Sequence, residues 1–153
     1  MDRKQKNIAG IVGMTVCPIM YFYLLEAYTH NGFTEVRPWS QFFNIILFEL
    51  VAWILFFLFR SAKWALRTEG IVAMTAGLAN AYVYSFRSLP LVPWDIYSVK
   101  TAMSVADNYD FMPSVRYVVV VLGFVAIISA VRFFDLRLEK LKWYAGLAAA
   151  VVI

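Results

Sequence analysis

Four long apolar runs, each bounded by charged or turn-forming residues, organise this chain. The first covers about 8–28, with Ile8 to Leu25 free of charge and Pro18 as an expected kink. His30, Asn31, Gly32 and Pro38 then break the periodicity and mark a turn. The second run, about 41–59, is interrupted by Glu49. Arg60, Lys63 and Arg67 against Glu69 make 60–70 a basic connector into which part of a helix continues. The third run is about 71–86. The fourth, about 115–134, has Arg116 and Arg132 at its ends, both able to snorkel toward headgroups. Asp135 to Lys142 is a charged turn, after which Trp143 to Ile153 is apolar again.

A helix of about 20 apolar residues crosses the ~30 Å hydrocarbon core, so the pattern predicts an all-α integral membrane fold with four full transmembrane helices. The segment from Trp143 would rise only about 16 Å as a helix and reads as a truncated fifth span. Either the sequence is a fragment that stops inside that span, which is the preferred reading, or the last piece is a buried half-helix. On this basis residues 1–153 form one polytopic domain. The start, MDRKQK before an apolar run, resembles a signal peptide. It lacks a small-residue cleavage site before Tyr21 to Leu25, so an uncleaved first helix is the better reading.

Composition agrees: of 153 residues 62% are hydrophobic and 18% aromatic, with a mean hydropathy of +0.68. Soluble domains are nearer one half apolar. The net charge of +4 is read as cytoplasmic-loop charge and not as a nucleic-acid footprint. Basic residues concentrate in the N-terminus (Arg3, Lys4, Lys6), the second connector and the stretch Arg132 to Lys142; the opposite side has Arg37, Arg87, Lys100 and Arg116. By the positive-inside rule the N-terminus is cytoplasmic, and the His30 connector and residues 87–114 face outward. Cys17, the one cysteine, lies in an apolar run and reads as a small buried or lipid-facing residue.

The insert at 87–114 is too long and amphipathic for a plain connector. A Pro-rich start (Leu89 to Pro93) leads into an expected helix from Trp94 to about Asn108. There Ile96, Val99, Met103 and Ala106 share a face, while Asp95, Ser98, Thr101 and Asp107 lie on others. Asp95 in the first turn suits the helix dipole, and Trp94, Tyr97 and Tyr109 could anchor at headgroup depth. A helix lying in the interface and one packed across the mouths of the spans are equally consistent with this pattern.

A few polar residues stand out. Glu49 is costly near mid-span, by about 2.5–3.5 kcal/mol on insertion scales, so it should face the bundle or be protonated. A proton or headgroup partner and a hydrogen bond between spans are the alternatives. Asn80, Tyr84 and Arg87 form a stripe rising to the outer surface, and Ala73, Gly77 and Ala81 a row of small residues suited to close packing. Arg87 could hold a lipid phosphate or an internal acid such as Asp95 or Glu26. Glu26 and His30 are four apart, but two ligands make no catalytic metal site, and no metal is expected in this chain. H-E-x-x-H, G-x-x-x-x-G-K-[ST] and G-x-S-x-G are all missing, so no self-contained active site is visible.

The text from Tyr82 to Phe111, YVYSFRSLPLVPWDIYSVKTAMSVADNYDF, resembles the lipoteichoic acid synthase family of bacterial membrane proteins, where a span ends in arginine followed by P-L-x-P-x-D. LLEAYTHNGF, Leu24 to Phe33, is similar to that family's L-L-E-x-x-T-H-N segment. The resemblance covers essentially the whole chain. It implies five spans followed by an extracellular sulfatase-like domain of the alkaline phosphatase superfamily. That domain carries a threonine nucleophile and manganese and transfers glycerol phosphate from phosphatidylglycerol in cell-envelope polymer synthesis. No residue here matches the nucleophile or its metal ligands. The implied role of this chain is therefore to anchor that domain and present lipid in the bacterial cell membrane, without catalysing transfer itself. Lipid-headgroup or interface candidates are Arg87, Trp94, Asp95, Lys100, Glu26 and His30, with Glu49 and Asn80 as intramembrane polar groups. The rival reading is a small stand-alone membrane protein that serves as an assembly partner; a small transporter would need a polar path for which Asn44, Glu49 and Asn80 offer little.

Overall fold

The computed structural model describes residues 3–30, 34–98, 113–134, 136 and 137. Among these, four α-helices form an up-and-down bundle: α1 (Arg3–Glu26), α2 (Pro38–Phe59), α3 (Ala62–Arg87) and α4 (Val115–Ala130). Short 3-10 turns cover Pro93–Ser98 and Val131–Phe133.

Local chemistry sets the helix ends. Pro38 opens α2 at a position where its missing N–H costs nothing. Arg60 ends α2 in the left-handed region (φ 58°), its N–H donating to the Phe56 carbonyl. Extended Ser61 follows and α3 begins at once. Ser88, also left-handed (φ 54°), closes α3 by donating to the Tyr84 carbonyl, and Pro90 lies just beyond. Ser114 caps α4, its side chain accepting from the Tyr117 N–H.

Asn7–Glu26, Pro38–Phe59 and Val115–Phe133 are long and apolar enough to cross a membrane, which makes the chain a helical membrane protein by length and composition. Only 11% of the apolar window of α2 is buried within the bundle, so Phe42, Phe43, Ile46, Leu47, Ile54 and Leu58 face outward, as residues in contact with lipid do. Helix α3 has 26 residues but is not among these apolar spans; Thr68, Glu69, Thr75, Asn80 and Ser85 dilute it. Four full spans plus a fifth are therefore not supported. The segment Trp143 to Ile153 lies outside the described residues. The connector expected at 60–70 is also corrected: its residues from Ala62 onward are the first turns of α3, and Ala62, Ala65, Leu66 and Glu69 are buried.

The core lies where α1 meets the other helices. Tyr21 stacks on Phe124 at 5.7 Å, Tyr28 on the same ring at 6.2 Å, and Tyr117 meets Tyr28 edge-on at 6.2 Å. Each such pair adds about 0.5–1.5 kcal/mol beyond area burial. The row Ala73, Gly77 and Ala81 is buried. A Cβ on Gly77 would stand 2.8 Å from the Tyr28 ring, and one on Gly70 would stand 2.7 Å from the Tyr21 ring. These glycines let α1 and α3 approach closely enough for the tyrosines to lie between them. Gly77→Val is expected to cost about 1–2 kcal/mol through overpacking, read as a lower unfolding midpoint in detergent. An unchanged midpoint would mean that the Tyr28 ring can move aside.

Candidate functional site

The end of the bundle where α1 and α3 finish and α2 and α4 begin gathers most of the polar residues singled out by the sequence. Past Glu26 the chain makes one more turn, with the His30 N–H donating to the Glu26 carbonyl at 2.8 Å. His30 Nδ1 shares a 2.8 Å hydrogen bond with Thr29 Oγ1 and lies 3.9 Å from Glu26 Oε2. Its ring meets Tyr84 of α3 edge-on at 5.8 Å.

Asn80, on the same stripe of α3 as Tyr84, uses its Oδ1 to accept from the Leu91 N–H at 2.7 Å. That bond folds the Pro-rich segment back over the helix end. Asp95 then closes the first turn of Pro93–Ser98: its Oδ2 accepts from the Val92 N–H at 2.8 Å, and its own N–H donates to the Val92 carbonyl at 2.9 Å. Trp94 and Tyr97 stack at 6.1 Å and are 74% and 79% exposed, a flat aromatic pair of the kind that sits at headgroup depth. The helix expected over Trp94 to about Asn108 is, where described, this 3-10 turn. Residues 99–112, Lys100 among them, lie outside the described residues, as does the side chain of Arg87, whose backbone ends α3.

Arg116 joins the two sides. Its Nε donates to the Ala27 carbonyl at 2.6 Å and its Nη2 to the His30 carbonyl at 2.8 Å, so the start of α4 holds the end of α1. The sequence reading has Arg116 snorkelling toward headgroups; it is exposed, but its guanidinium is engaged by backbone. On the other flank, Tyr23 donates to Gln41 Oε1 at 3.0 Å while Gln41 Nε2 donates to the Val36 carbonyl at 2.7 Å, which fixes the turn into α2.

Glu49 and Glu69 lie apart from this end, inside the bundle. Glu69 is 4% exposed, and both of its carboxylate oxygens, one of Glu49 and the Tyr21 hydroxyl are buried without a hydrogen-bond partner among the described residues. The sequence reading picks out Glu49 and passes over Glu69, hidden among basic residues. The helical phase could have found it: Ala62, Ala65, Leu66, Glu69 and Ala73 recur at three-and-four spacing and all are buried. Beside Glu69 a laterally open apolar cavity of about 360 Å³ runs between α2 and α3, lined by Leu47, Phe48, Val51, Val72 and Ala76. Among the described residues, no three His, Cys, Asp or Glu side chains come together as a metal set.

In comparison with known proteins, the chain matches no family model, no curated protein and no solved structure.

Proposed function

We propose that this chain is the membrane-anchoring and lipid-presenting domain of a lipoteichoic-acid-synthase-type phosphoglycerol transferase. It would sit in a bacterial cell membrane with its N-terminus cytoplasmic. In this reading α3 crosses the bilayer as well, shielded by the three more apolar helices, and the segment from Trp143 leads toward an extracellular sulfatase-like domain.

One observation supports the reading above others: the two stretches that resemble the family, far apart in sequence, meet at one end of the bundle. His30 of the L-L-E-x-x-T-H-N-like segment touches Tyr84, four residues after Asn80, which holds Leu91 of the P-L-x-P-x-D-like segment. The polar groups that such a junction brings together at the membrane boundary suit a phospholipid headgroup, with Trp94 and Tyr97 setting its depth. The chain's part is to orient lipid; phosphoglycerol transfer belongs to the extracellular domain.

The reading is tested in proteoliposomes with photoactivatable phosphatidylglycerol and phosphatidylcholine, followed by mapping of the cross-linked peptides. Phosphatidylglycerol should label residues 80–98 several-fold more than phosphatidylcholine, and Arg87→Ala should abolish the preference. Equal labelling by both lipids would remove the lipid-presenting role.

A further inference from the structure

The apolar cavity of about 360 Å³ between α2 and α3 opens sideways, and Leu47, Val51 and Val72 in its wall are exposed on the outside of the bundle, where lipid lies. We propose that it is a binding site for a lipophilic amine: a single alkyl chain lies in the cavity and its ammonium head pairs with the Glu69 carboxylate. The proposal does not rest on the transferase reading.

The charge in the wall selects the head of the ligand. Glu69 lines the cavity and is almost fully buried, and among the described residues neither of its oxygens has a hydrogen-bond partner or a counter-ion. Glu49, on the facing helix α2, is within electrostatic reach of it and also has a buried oxygen without a hydrogen-bond partner among the described residues. Two acids side by side repel an anionic head and leave a neutral one with little to pair with; a cation supplies the missing opposite charge. An ammonium also brings several N–H donors, whereas a hydroxyl brings one.

The rest of the wall selects the body. Apart from Glu69 and Thr68 the lining is aliphatic or aromatic, with Leu25, Phe48 and Leu55 on the inner side. The surface that a ligand first meets is carbon, including the carbons of the Glu69 side chain, and the carboxylate lies directly behind it. The amine reaches the carboxylate by a rotation of this unbranched side chain toward the cavity.

Size and depth choose a free alkyl amine over an aminophospholipid. The volume is at the lower end of the range for small-molecule sites, about 300–1,000 Å³, which suits one chain and not two. Glu69 lies two turns into α3, about 10 Å along the helix from its start. Lys63, the exposed Trp64 and Arg67 mark that start as headgroup depth. The amine of a phospholipid stays with its phosphate at that depth, whereas the head of a free amine can follow its chain further in.

The test uses the intact protein in phosphatidylcholine nanodiscs with diazirine-bearing dodecylamine and the matching dodecanol as probes, followed by mapping of the cross-linked peptides. A hydrogen-bonded pair with a charged group is worth about tenfold or more in affinity, so the amine should label residues 47–55 and 68–76 about tenfold more than the alcohol. Glu69→Leu should bring amine labelling down to the level of the alcohol while its unfolding midpoint holds or rises, which separates loss of ligand from loss of fold. Ala76→Phe, a change at an exposed position of the lining that fills the cavity from the lipid side, should lower labelling by both probes with Glu69 still present. Equal labelling of the unaltered protein by amine and alcohol would overturn the proposal, as would an amine preference that survives in Glu69→Leu. Phosphatidylethanolamine added to the nanodisc should leave the labelling unchanged; its loss would assign the site to an aminophospholipid and overturn the assignment to a free alkyl amine.

Discussion

Arg116→Ala should lower the unfolding midpoint of the bundle by the equivalent of about 2–3 kcal/mol, and Arg116→Lys should recover only part of the loss. The side chain makes two short hydrogen bonds, to the carbonyls of Ala27 and His30. Bonds with a charged donor contribute about 1.5–3 kcal/mol each when well formed; exposure of this residue reduces the sum. The acceptors belong to the turn that ends α1, where carbonyls have no helical partner and the dipole is negative. At its own position, in the first turn of α4, the cation faces an unfavourable dipole. The interaction with α1 must offset that. Lysine can reach one carbonyl but cannot fork to two. Because the turn at 27–30 is held through Arg116, the alanine variant should also speed amide exchange at Tyr28 to His30. A midpoint and exchange rates equal to those of the unaltered protein would show that the clip contributes nothing.

That contact illustrates how far the sequence could be read. Apolar periodicity placed α2 and α4 to within a few residues, because their lipid-facing sides need little more than length and hydropathy. It could not see Arg116 reaching Ala27, since the pairing depends on how α4 sits against α1 and both residues look ordinary locally. The basic stretch at 60–70 misled for a related reason. Arg60, Lys63 and Arg67 dominate its composition, while Ala62, Ala65, Leu66 and Glu69 occupy the buried face of the same helix. In a connector the average is informative, but in a helix the phase is. Of the candidate polar groups, Glu26, His30, Asn80 and Asp95 do meet at one end, whereas Glu49 lies away from it near a carboxylate that the local pattern concealed.

Glu69→Leu should stabilise the bundle, by about 2–3 kcal/mol. The side chain is 4% exposed and neither carboxylate oxygen has a hydrogen-bond partner among the described residues. Glu69 lies two turns into α3, and a buried polar group left unsatisfied costs about 1–3 kcal/mol, more when charged, which an apolar replacement removes. Leucine is close to glutamate in volume and would extend the apolar lining of the cavity between α2 and α3. Glu69→Gln should gain much less, since the amide still brings polar atoms to a place that offers them no partner. Glu49 supplies a second check. One of its oxygens is also buried without a hydrogen-bond partner among the described residues, so Glu49→Leu should stabilise too. If the two carboxylates repel each other, the double variant should gain less than the two single gains together, because each single change already removes the repulsion. Thermal unfolding in one detergent, run on all four variants, gives the order: Leu above Gln at position 69, with the original residue lowest. A lower midpoint for Glu69→Leu would show that the carboxyl is held by a partner in the membrane. Two carboxyls retained on facing helices at a net cost would then be explained by what they bind and not by what they stabilise, and the loss on substitution would measure that interaction directly.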